Sequence, residues 1–136
     1  MNENVYIASI ATATPPYTIN QAQAEAFLLK HYSNKLSPKS LAIMHKIFAH
    51  PSVHHRHLAI DNLECLVNEH PDSRIARYTQ WAVDLSSQAI IKALNQVGLT
   101  VDDVSGLVVN TCTGYICPGI STYLIEKLGF SEQIRA

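Results

Sequence analysis

Two stretches of this chain read as strands buried on both faces, and most of what lies between them reads as helix. Residues 5–13 (VYIASIATA) are short, largely apolar and free of charge, and so is the Leu107-Val108-Val109 run after Gly106. Such a run suits a strand covered above and below by other layers. The sequence therefore predicts an α/β arrangement in which a long helix crosses between parallel strands. Two strands make a poor complete sheet, and the second is too apolar to stay bare as an edge. Either further sequence or a partner subunit is expected to complete the sheet, and the chain alone is expected to expose apolar surface.

The region between is punctuated by specific signals. Thr14-Pro15-Pro16 ends the first strand, because proline lacks a ladder donor and restricts the residue before it. Asn20 with Gln23 has the form of a capping box opening a helix to about His31, with Ala22, Ala26, Phe27 and Leu29 along one side. Ser37-Pro38 opens a second helix with Leu41, Met44, Ile47 and Phe48 at helical period, followed by Pro51. Val53–Ile60, which contains His54-His55-Arg56-His57, reads as an extended segment crossing an edge, and Leu63–His70 as a short helix. Asp72 or Ser73 starts the longest helix, Arg74–Val97, which Gly98 stops. Its apolar residues (Tyr78, Trp81, Ala82, Leu85, Ala89, Ile90, Leu94, Val97) cover a wide face, so burial around much of its circumference is expected. Thr100–Asp103 is a turn or single-turn helix, and residues 106–111 are the second strand. Thr111–Cys117 is a loop, and Pro118-Gly119 opens a last helix that closes at Gly129.

Composition excludes several classes. The 136 residues suit one domain or part of one, and 47% hydrophobic with 15% charged residues is a globular balance. Ten basic against eleven acidic residues leave no broad positive field for nucleic acid. No apolar run approaches the length of about 18 residues that a membrane span needs. The Met1-Asn2-Glu3-Asn4 start lacks the basic-then-apolar pattern of a signal peptide. Three cysteines (Cys65, Cys112, Cys117) cannot all pair within the chain. Reduced thiols, and with them a cytoplasmic location, are expected.

The stretch richest in chemistry is Leu107–Gly129 (LVVNTCTGYICPGISTYLIEKLG). An apolar strand ends in small hydroxyl and thiol residues, and sites in open α/β sheets gather at the carboxyl ends of strands. A nucleophilic cysteine needs a base or a cation beside it, and no sequence neighbour of Cys112 supplies one. Cys112 therefore reads as a small pocket-wall residue. Cys112 and Cys117 have no second pair, and in the histidine run only His55 and His57 share a strand face, so no metal is expected. Lys46 and His50 lie four apart on one helix face, whose default is to be solvated. Trp81 falls in the apolar period of the long helix and reads as core.

Thr111–Gly119 resembles type III (chalcone-synthase-like) polyketide synthases, whose bacterial members carry a T-C-T-G-Y-x-x-P-G signature. Arg56-His57-Leu58-Ala59 resembles the family's post-helix segment. The long helix and the Gly98–Val104 turn fit its spacing, so the resemblance covers essentially the whole chain. It implies a thiolase fold of two similar five-layered halves, of which residues 1–136 are the N-terminal part of the first, with an incomplete sheet. It implies a coenzyme A-dependent acyltransferase that needs no cofactor, loads an acyl group from acyl-CoA onto a cysteine and extends it by decarboxylative condensation with malonyl-CoA. By the same resemblance the catalytic cysteine follows shortly after Arg135-Ala136, in a Gly-Cys turn, and the catalytic histidine and asparagine come much later. Residues 1–136 are then expected to hold no catalytic residue and to be inert without the C-terminal part of the enzyme. Cys112, Thr113 and Gly114 match positions at the acyl cavity. Cys117, beside Pro118, matches one that reaches across a homodimer interface into the partner's cavity. Lys46 matches a basic residue that contacts coenzyme A phosphates, and His50 falls where another usually stands, while Ile43 replaces a third.

Two rival readings stay open. A ketoacyl synthase III-like initiator of fatty-acid synthesis shares the thiolase fold and a small-residue loop before proline. The extra helical material before the long helix, with Cys112-Thr113-Gly114-Tyr115, argues against it. A stand-alone, non-catalytic interaction module belongs to a different class, and a reading frame continuing into a Gly-Cys turn would eliminate it.

Overall fold

The structure is a computed structural model that describes residues 4–114 and 116–136. The chain divides into two compact units, Thr14–His70 and the stretch up to Ala13 together with Pro71–Ala136.

The smaller unit is built on a two-stranded antiparallel hairpin of β1 (Tyr17–Asn20) and β2 (His55–Leu58), with Tyr17 opposite Leu58 and Asn20 opposite His55. β1 begins directly after Pro16, so the prolines expected to end a strand stand just before one. Its last residue caps α1 (Gln21–Tyr32). The Asn20 side chain accepts from Gln23 N at 2.8 Å, and Gln23 Oε1 accepts from Asn20 N at 3.1 Å, which is the predicted capping box. A single 3-10 turn (Ser33–Lys35) leads to α2 (Pro38–Phe48). Ser37 Oγ accepts from Ser40 N at 3.1 Å, and Pro38 occupies the first turn as expected. The short helix expected over residues 63–70 is a 3-10 turn at Leu63–Leu66, capped by the Asn62 side chain. Along β2 the period of two decides burial: Arg56 and Leu58 are half-buried, while His55 and His57 face solvent.

The larger unit is organised by α3 (Pro71–Gln96) and α4 (Ile120–Leu128). They meet around Val83, Ile120 and Leu124, and Leu124 is only 1% exposed. The expected single turn is present as a 3-10 helix at Val101–Asp103. Asp103 Oδ2 accepts from Thr100 N at 2.8 Å and from Thr100 Oγ1 at 2.9 Å. The backbone bond first, and then the hydroxyl, hold the Asp103 carboxyl below its usual range.

Three expectations are corrected here. Residues 5–13 form no strand among the described residues. Val5 is 96% exposed, and Tyr6, Ile7 and Ile10 are exposed with it. A bond from Ser9 Oγ to Ala93 O at 2.9 Å ties the segment to α3. Residues 106–111 form only a single parallel bridge, Gly106 with Arg135, in which Leu107 N donates to Arg135 O at 2.8 Å. Leu107 and Val109 pack on the α3–α4 core while Val108 is 96% exposed, so one face is covered and the other bare. The described residues are therefore mostly helical with a small antiparallel sheet, rather than a parallel sheet crossed by α3. Finally, α3 is buried only at Val83 and Ser87, and Trp81 is half-buried. The cause is common to all three. A segment that is apolar on both faces needs a layer on each, and these residues supply at most one.

Candidate functional site

Two places gather the residues that carry chemistry. The first is the loop after residues 106–111, in the larger unit. Tyr78 reaches it from α3, with its hydroxyl 2.8 Å from Thr111 Oγ1. Thr111 Oγ1 donates to Thr113 O at 3.0 Å and accepts from Thr113 N at 3.2 Å. Since its one proton goes to Thr113 O, the Tyr78 hydroxyl is the donor to Thr111. Gly114 lies on the Tyr78 ring with φ +77°, and a Cβ there would fall 2.8 Å from Tyr78 Cζ and closer still to two other ring carbons. Only glycine lets the turn close against this ring.

The expected cavity residues Cys112, Thr113 and Gly114 are all exposed. Cys112 Sγ meets the neutral Thr113 Oγ1 at 3.8 Å. Cys112 and Cys117 are free thiols at the surface, and Cys65 is a half-buried one. The Cys117-Pro118 peptide is cis, and both residues are exposed. Tyr115, part of the signature, lies outside the described residues. Among the described residues no three His, Cys, Asp or Glu side chains are grouped to hold a metal ion.

The second place is a cleft of about 310 Å³ in the smaller unit, lined by Gln21, Lys46, His50, Ser52, Val53 and Arg56 among others. Lys46 lies near the end of α2, and His50 lies two residues past it, not on the helix as expected. The chain nevertheless brings both into one cleft. His50 Nδ1 accepts from Ser52 N at 3.3 Å and lies 2.8 Å from Ser52 Oγ, which leaves Nε2 as the N–H donor. Arg56 stands opposite on β2. Its Nε donates to Gln21 Oε1 at 2.8 Å, and its guanidinium sits 5.3 Å from the centroid of the Phe48 ring. No Asp or Glu lines this cleft among the described residues. A lysine, an arginine and an imidazole N–H without a carboxylate form a donor set for an anion. Sequence reasoning missed Arg56 as a lining residue. The signal was its place in the alternation of HRHL, where it shares the inward face with Leu58.

No family model matches the chain. It is 28% identical over 115 residues to the phloroglucinol synthase of Pseudomonas fluorescens, covering 84% of this chain and 32% of that protein. It is 29% identical over 143 residues to the acylalkylpyrone synthase csyB of Aspergillus oryzae, covering 98% of this chain and 34% of that one. A CsyB mutant solved in complex with CoA-SH matches with a TM-score of 0.80 at 26% identity, over 95% of this chain and 34% of that chain. Over most of its length this chain is homologous to type III polyketide synthases.

The chain spans about a third of the length of the curated relatives it matches. It therefore shares only part of the thiolase-like fold of type III polyketide synthases. Among the described residues, no helix is long and apolar enough to cross a membrane.

Proposed function

We propose that residues 1–136 are the N-terminal part of the first half of a type III polyketide synthase. The whole enzyme is a cytoplasmic homodimer that condenses malonyl-CoA, with loss of carbon dioxide, onto an acyl-CoA starter. The catalytic cysteine, histidine and asparagine belong to sequence beyond Ala136, and no bond-making step is assigned to the residues described here. Lys46 and His50, with Arg56 beside them, hold coenzyme A phosphates. Cys112, Thr113 and Gly114 form a wall of the acyl pocket, in a turn whose shape Tyr78 sets. Cys117 and Pro118 stand near the dimer contact.

The observation that carries this reading is the cleft free of carboxylates that gathers Lys46, His50 and Arg56, in a chain whose fold matches a relative solved with CoA-SH. The test is calorimetric titration of residues 1–136 with coenzyme A at low ionic strength. Binding is expected to weaken with added salt and to fall about fivefold in Lys46→Ala, since one exposed charged contact contributes roughly 1 kcal/mol. Binding that ignores both salt and Lys46→Ala would remove the cleft from the reading. A parallel assay for malonyl-CoA decarboxylation should show no turnover by residues 1–136, and turnover would contradict the assignment of the catalytic groups elsewhere.

A further inference from the structure

The smaller unit carries an apolar hollow that is partly open to solvent. The hollow, of about 300 Å³, lies against α1, α2 and the β1–β2 hairpin, walled by Ile19, Phe27, Leu28, Phe48, Leu58 and Leu63 among others. About 300 Å³ is where small-molecule pockets begin. One charged side chain lines this hollow, Arg56, and it also lines the cleft that holds Lys46 and His50. A single half-buried guanidinium thus borders an apolar space on one side and a cationic one on the other. Its neighbours are neutral: Gln21 Oε1 accepts from Nε, and the face of Phe48 packs on the guanidinium. No Asp or Glu lines either space among the described residues.

These features select a ligand class. A bare phosphate would use only the cleft, and a neutral alcohol only the hollow. An anion attached to a hydrocarbon body uses both, because the body leaves water while the head meets the fixed donors of Arg56. The planar guanidinium fork suits a carboxylate in particular. We infer that the smaller unit holds a binding site for a medium-chain carboxylate, with its hydrocarbon in the hollow and its head on Arg56. Lys46 and His50 strengthen the local attraction for that head. This inference goes beyond the acyltransferase reading and does not rest on it, because the hollow lies wholly within residues 14–70 and needs no thioester.

The test is calorimetric titration of the 136-residue protein with decanoate, decanol and inorganic phosphate in turn. Decanoate is expected to bind at least tenfold more tightly than either of the others. Arg56→Gln and Leu63→Trp should each weaken decanoate tenfold or more, and Leu63→Trp, which fills the hollow, should leave phosphate binding unchanged. Far-UV circular dichroism checks that the variants stay folded. If Arg56→Gln loses helical signal, Leu63→Trp decides alone, since it leaves the Arg56–Phe48 contact in place. The inference is overturned if decanoate binds no better than decanol, if Leu63→Trp binds decanoate like the parent, or if folded Arg56→Gln does so.

Discussion

Replacing Gly114 with alanine isolates the contact that shapes the 111–114 turn. Two penalties combine. An L-residue held at φ +77° costs about 1–2 kcal/mol. The new methyl would also overlap the Tyr78 ring, so the ring must move and its hydroxyl leave Thr111, at about 1 kcal/mol for the hydrogen bond and about 1 kcal/mol or more for repacking. The total is ~3 kcal/mol. Gly98 is an internal control, because it has φ +69° and a Cβ added there would meet no atom within 4 Å. Gly98→Ala therefore carries only the backbone penalty, ~1 kcal/mol. Urea unfolding followed by far-UV circular dichroism, with tyrosine and tryptophan fluorescence in parallel, reads both variants. In a Tyr78→Ala background the cost of Gly114→Ala should fall to that of Gly98→Ala, a coupling that a double-mutant cycle measures directly. Equal destabilisation by Gly114→Ala and Gly98→Ala in the parent, or no coupling to Tyr78, would refute the argument.

Leu124→Ala, at the most enclosed position of the α3–α4 core, should destabilise the larger unit by about 2–5 kcal/mol in the same urea assay. The Asp103 carboxyl lies below its usual range when folded, because Thr100 donates to it twice. Its contribution is thus fully present above the ordinary carboxylate range, near pH 4, and is lost as pH falls through the lower folded value. The urea midpoint of the parent should fall more steeply than that of Asp103→Asn as pH is taken from 5 towards 2.

The helices were legible because their signals are local. Asn20 with Gln23, Ser37-Pro38, the Thr100 turn and the glycine after α4 each specify a boundary within one turn of backbone. The strands were not, because pairing is a property of neighbours. Residues 5–13 and 106–111 have the composition of buried strands and, among the described residues, no partner to pair with beyond the Gly106–Arg135 bridge. β1 went unread for the opposite reason: Thr18 and Asn20 give it no apolar run, and only its register with His55–Leu58 makes it a strand. Of the cleft, Lys46 and His50 were singled out by resemblance alone, since their helical spacing read as a solvated face and His50 stands past the end of α2. Arg56 as their neighbour, and Tyr78 as the residue that holds Thr111, depend on contacts between distant parts of the chain. Tyr78 looked like one more apolar position of α3, and its hydroxyl partner lies 33 residues away.

The Thr111 hydroxyl already commits its proton to Thr113 O and both lone pairs to Tyr78 and Thr113 N. Such an oxygen is chemically silent: it has nothing left with which to attack, or to greet, an incoming molecule. The Cys112 thiol and the Thr113 hydroxyl beside it are both exposed. Thr111 in turn is replaceable by serine, which keeps the same three bonds, whereas its isostere valine would leave the tyrosine hydroxyl to donate to solvent.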